Sequence, residues 1–86
     1  MYGDQLVQLR VLLDELIGDI DASGMPAEAR HAAELARAEA AKPSPEPGRL
    51  RRLMDAVMNR AKDVSTVSQA VANILGIITM IEHGVR

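Results

Sequence analysis

The chain is predicted to be all-α, a small antiparallel four-helix bundle, and three observations lead there. Three segments repeat Leu, Ile, Val or Met at helical spacing, and a fourth is built mostly of alanine. Gly24 and the run Pro43 to Gly48 punctuate the chain between them. The last segment, Val64 to Ile81, runs for eighteen residues without a charged side chain, so a helix there can be covered on more than one side. The expected helices span about 4–22, 26–42, 45–63 and 66–83, forming one domain over 1–86.

In the first segment Leu6, Leu9, Leu13, Leu16 and Ile20 make one apolar stripe, broadened by Leu12 and Ile17. Gly3 or Asp4 starts the helix, with the Asp4 carboxylate near the positive end of the helix dipole, and Gly24 supplies the C-cap. Val7, Val11 and Gly18 lie off the stripe. They form a thin second strip that either touches another helix or is ordinary surface.

The second helix is expected to carry Pro26 at its first position, where a missing N–H costs nothing. Its predicted inner face is Ala29, Ala32, Leu35, Ala36 and Ala40, with Arg30–Glu34 and Glu39–Lys42 pairing along its surface. Small side chains bury little area, so this element is expected to be the most exposed and the least stable.

Pro43, Pro45 and Pro47 forbid a continuous helix and make a stiff elbow. Ser44 is placed to cap the third helix, with Pro45 and Pro47 in its first turn. Leu50, Leu53, Met54, Val57, Ala61 and Val64 form its stripe.

No glycine or proline separates Asp63 from Thr66, so a single helix from Leu50 to His83 in a dimeric bundle is the alternative architecture. Two helices are preferred. Val64 to Ser68 is poor in helix formers, Ser65 can act as an N-cap, and a break there yields four helices of similar length. The fourth would turn Val67, Ala70, Val71, Ile74, Leu75, Ile78 and Ile81 inward and stop at Gly84.

Eighty-six residues suffice for one small core, near the size at which a lone domain is marginally stable. Phe, Trp and Cys are absent and Tyr2 is the sole aromatic, so burial of aliphatic side chains must hold the fold, without disulfides or thiolate metal sites. Residues 1–24 hold five acids and one base, Arg10, whereas 45–63 hold five bases and three acids. Such asymmetry can pair helices within a bundle or steer two copies together. The opening residues lack the basic start and apolar run of a signal peptide, and a cytoplasmic location is expected. Val64 to Ile81 has about the minimum length of a membrane span, but six of its residues are Ser, Thr, Gln or Asn, and no membrane role is expected.

No catalytic residue, metal site or cofactor is expected. Glu28 and His31 have the Glu-x-x-His spacing of di-iron bundles, but no second copy of the motif or inward carboxylate accompanies them. Asp14, Glu15, Asp19 and Asp21 occupy the polar side of the first helix, and no nucleophile motif or phosphate-binding glycine loop exists. Arg49, Arg51, Arg52 and Arg60, with Lys62, form a possible basic contact surface. Asp55 is placed to pair with Arg51 or Arg52, and no aromatic residue is present there to stack on a base.

The back of the last helix offers a different surface: Gln69, Ala72, Asn73, Gly76, Thr79, Met80 and His83 align on it without a formal charge. Ala72 and Gly76 would let another backbone approach, and Gln69 and Asn73 could hydrogen-bond across the contact. Either this face meets a partner, or the helix is central and its small residues face the second helix.

Pro47-Gly48-Arg49-Leu50-Arg51-Arg52-Leu53-Met54 followed by the uncharged helix resembles small Ala/Arg-rich helical domains of actinobacterial type. These include effector-associated adaptor modules linked to trypsin-like proteases or NTPases of bacterial conflict systems. The resemblance covers the C-terminal half. It implies a non-enzymatic adaptor or oligomerisation role, with a protein partner or a second copy of the chain brought against a helical surface. A small nucleic-acid-binding regulator using the third-helix arginines is the alternative.

Overall fold

The computed structural model describes residues 3–84, which form four helices: α1 (Gly3–Ser23), α2 (Ala27–Ala40), α3 (Pro47–Arg60) and α4 (Ser65–Gly84). Tyr2 lies outside the described residues. Contacts join α1 to α2, α2 to α3, α3 to α4 and α4 back to α1, and neither diagonal pair brings its Cα atoms within 8 Å. Short connections turn the chain back at each corner, giving an up-down-up-down bundle 38 Å long and 18 Å across.

Each helix end has a local cause. Gly24 takes φ 65°, and the Gly24 and Met25 N–H groups donate to the Asp21 and Ile20 carbonyls, closing α1 in a Schellman turn. Pro26 is the N-cap of α2 rather than its first helical residue, with an extended ψ of 152°. At its other end α2 stops at Ala40 instead of about Lys42, because Pro43 disfavours helical backbone at the residue before it. The same effect moves the start of α3. Glu46 precedes Pro47 and is held extended at φ −89°, ψ 114°, so the helix begins at Pro47, and neither Ser44 as cap nor Pro45 in the first turn is realised.

The long-helix alternative is overturned between α3 and α4. The chain leaves the helix at Ala61, where φ is −111°, and re-enters at Ser65. Ser68, not Ser65, fastens this corner: its hydroxyl donates to the Ala61 carbonyl at 2.6 Å, while its N–H donates to the Val64 carbonyl.

The core is aliphatic. Leu9, Leu13, Leu16 and Ile20 of α1 meet Leu50, Met54 and Val57 of α3 and Val67, Val71, Ile74 and Ile78 of α4 in one cluster. Fully burying one such side chain is worth about 1.5–3 kcal/mol. The alanines Ala32, Ala33, Ala36 and Ala40 complete the wall, so α2 is not the most exposed element as expected. Its small side chains instead bring its backbone close to the core. Leu35, Leu53, Ala70 and Leu75 are only half-buried, whereas Ala33 and Ile77, outside the predicted inner faces, are buried.

α4 is also the one helix among the described residues that is long and apolar enough to cross a membrane, by length and composition. Val67, Val71, Ile74, Ile77, Ile78 and Ile81 are buried within this compact bundle, so its apolar face already has a protein environment.

Candidate functional site

The predicted surface on α4 is open. Gln69, Ala72, Asn73, Gly76, Thr79, Met80 and His83 are all exposed, on an arc of about 120° at 100° per residue. The alternative in which these small residues face the second helix is thereby excluded. A Cβ built on Gly76 meets nothing within 4 Å.

The open strip continues onto α1. Gln8 and Leu12 line a shallow groove with Ala72, Asn73, Gly76, Ile77 and Met80. Glu15 and Asp19 line the next hollow along the same seam, with Ser65, Thr66, Gln69 and Asn73. Val7, Val11 and Met80 are the large apolar side chains left more than half exposed, at 59%, 51% and 52%. The weak second strip noted on the first helix is therefore solvent-facing within the monomer, together with the exposed Gly18.

Thr79 is the member of the strip that is already engaged. Its hydroxyl donates to the Leu75 carbonyl and accepts from Arg51 Nη2 at 2.8 Å, and the same nitrogen reaches Glu82 Oε1 at 2.6 Å. Arg51 thus ties α3 to α4 and borders the strip. The expected Asp55 ion pair does not form, and the hydrogen bond to Glu82 raises the Arg51 pKa.

The basic surface is dispersed. Arg49 turns towards α2 and pairs with Glu39 at 3.3 Å, Arg51 turns towards α4, and Arg60 donates to the Ala56 carbonyl. Arg52 is exposed and has no ion pair among the described residues. Two of the four arginines are thus partly neutralised, on opposite edges of α3.

The expected Glu39–Lys42 pair forms, but the burial of Glu39 and the reach of Arg10, which position the elbow, escaped the sequence reading. Glu39, expected at the surface, is 2% exposed. Its carboxylate accepts from the Glu46 N–H and from Lys42 Nζ, each at 2.9 Å, with Arg49 alongside. The Glu46 hydrogen bond above all, then Lys42, holds this carboxyl below the ordinary glutamate pKa. Arg10, half-buried on α1, donates from Nε to the Ala40 carbonyl at 2.7 Å and so satisfies the end of α2. As the sole base in the first 24 residues, Arg10 carried a compositional signal. Glu39 carried none, because its burial depends on the path of the following loop.

Glu28 and His31 are exposed beside an apolar depression formed with Ala27, Ala32, Leu35 and Leu53. No three His, Cys, Asp or Glu side chains converge among the described residues. At the end of the bundle Leu6, Pro43, Ser44, Pro45, Pro47, Leu50 and Ile81 enclose an apolar hollow of about 280 Å³ with no charged group on its wall.

No family model, curated protein or solved structure matches the chain.

Proposed function

We propose that the chain is a non-enzymatic protein–protein interaction module, an adaptor or oligomerisation domain, whose contact surface is the uncharged back of α4 with the adjoining edge of α1. The observation that carries this reading is the exposure of all seven α4 residues without a Lys, Arg, Asp or Glu among them. A solvent-facing helix surface ordinarily carries such charges, and their depletion marks the core of an interface. Met80 within the strip, 52% exposed, adds apolar area. Recruitment of an effector or sensor in bacterial defence, in the cytoplasm, is the setting that the sequence resemblance favours. The nucleic-acid alternative has less support, because Arg49 and Arg51 are held by Glu39 and Glu82.

Gly76→Arg tests the reading. The new side chain enters open space, so circular dichroism and the thermal midpoint should remain close to those of the unmodified chain. Light scattering should show self-association lost, or a captured partner should no longer bind. Association that survives Gly76→Arg unchanged refutes this surface.

A further inference from the structure

We infer that the occupant of this strip is an amphipathic helix of a different protein, one that lays an uncharged face along α4 and carries lysine or arginine on the edge that overhangs α1. This rests on the reading of the strip as a contact surface and adds the chemistry of the partner.

The strip has unequal edges. On the α1 side Glu15 and Asp19, one helical turn apart, line a hollow with Ser65, Thr66, Gln69 and Asn73. Glu15 is exposed and Asp19 half-buried, and neither has an ion pair among the described residues.

On the α3 side no free base answers them. Arg51 is held by Thr79 and Glu82, and Lys62 is accompanied by Asp55 and Asp63, all three without ion pairs among the described residues. A second copy laid on the strip would therefore bring carboxylates without a matching base, and a nucleic acid would set phosphates against carboxylates. The charge that complements the strip is positive and lies along its α1 edge.

The hollow suits such a charge. Its two carboxylates offer acceptors to an ammonium or guanidinium group, and the side-chain amide oxygens of Gln69 and Asn73 can add to them. The groove of Gln8, Ala72, Gly76, Ile77 and Met80 adjoins it, shares Leu12 and Asn73 with it, and has no charge on its wall. Acidic hollow and uncharged groove thus form one track from Gln69 to Met80, about 16 Å or roughly three helical turns long. A partner helix of that length covers the track, with small or apolar side chains over Ala72 and Gly76 and a basic one reaching Glu15 and Asp19.

Two labelled peptides test this chemistry: alanine-based helices of about eighteen residues with leucines on one face, differing only in lysine or glutamate along one edge of that face. In fluorescence anisotropy with the full chain, the lysine peptide should bind at least about tenfold tighter than the glutamate peptide, and added salt should weaken it. Glu15→Gln with Asp19→Asn should raise its Kd about tenfold, with circular dichroism unchanged. Glu28→Gln removes an exposed carboxylate from α2, away from the strip, and should leave the Kd as it was.

A lysine peptide that binds no tighter than its glutamate twin overturns the proposal, as does a loss with Glu28→Gln equal to that of the paired change. A dimer in light scattering that disappears with Gly76→Arg makes a second copy the occupant and overturns the different protein. The strip itself is refuted separately, by association that ignores Gly76→Arg.

Discussion

Replacing Gly76 by alanine should stabilise the isolated bundle. Glycine within a helix is less favourable than alanine by about 0.5–1 kcal/mol, because its unfolded backbone is freer. That deficit is worthwhile for packing only where a Cβ would collide, and at Gly76 a Cβ meets nothing within 4 Å. The full gain of about 0.5–1 kcal/mol is therefore expected, raising the thermal midpoint by roughly 2–8 °C for a domain of this size. Gly24→Ala is the matched control. Its Cβ also enters open space, but φ is 65°, where an L side chain costs about 1–2 kcal/mol, so the same substitution should destabilise. Urea unfolding followed by circular dichroism at low protein concentration, where association is minimal, measures both. A lowered midpoint for Gly76→Ala would refute the conclusion that this backbone is unobstructed, and with it the claim that the monomer leaves the strip open.

Three further outcomes follow from the contacts within the bundle. The Glu39 carboxyl is held below its ordinary pKa, so its contribution to stability is present above that value and disappears as pH falls through the lower folded one. Thermal midpoints should therefore drop on acidification below about pH 4.5, and Glu39→Gln should flatten that dependence. Ser68→Ala removes the bond to the Ala61 carbonyl and should cost about 1 kcal/mol in urea unfolding, with α4 still helical by circular dichroism. Ile74 is fully buried, and Ile74→Ala should cost about 2–5 kcal/mol, enough to show as a large loss of midpoint in a thermal melt.

The parts of the fold that could be read from sequence are those set by near neighbours. The α1 stripe from Leu6 to Ile20, the Gly24 turn and the break before Ser65 depend on residues within a turn or two of themselves. The α2–α3 elbow was misread by two residues at each end, because proline acts on its predecessor as well as on itself: Lys42 and Glu46 precede Pro43 and Pro47 and lie outside the helices. The burial of Glu39 and the reach of Arg10 to Ala40 depend on segments that meet only after folding, and periodicity does not register them. For the candidate surface, absence of charge on one face of α4 was visible in the letters alone. Whether that face met α2 or solvent was not, since this depends on helix order around the bundle.

That order has a topological consequence. The helices form a ring with four seams, of which three join neighbours in sequence and one, between α1 and α4, joins distant parts of the chain. Closing the distant seam carries the largest loop-closure entropy, so it is the natural place for a lone bundle to part. Gln8, Leu12, Asn73 and Met80 line the outside of that same seam. A second body laid along it would act as a clasp, and folding would then be linked by mass action to the concentration of whatever supplies the clasp.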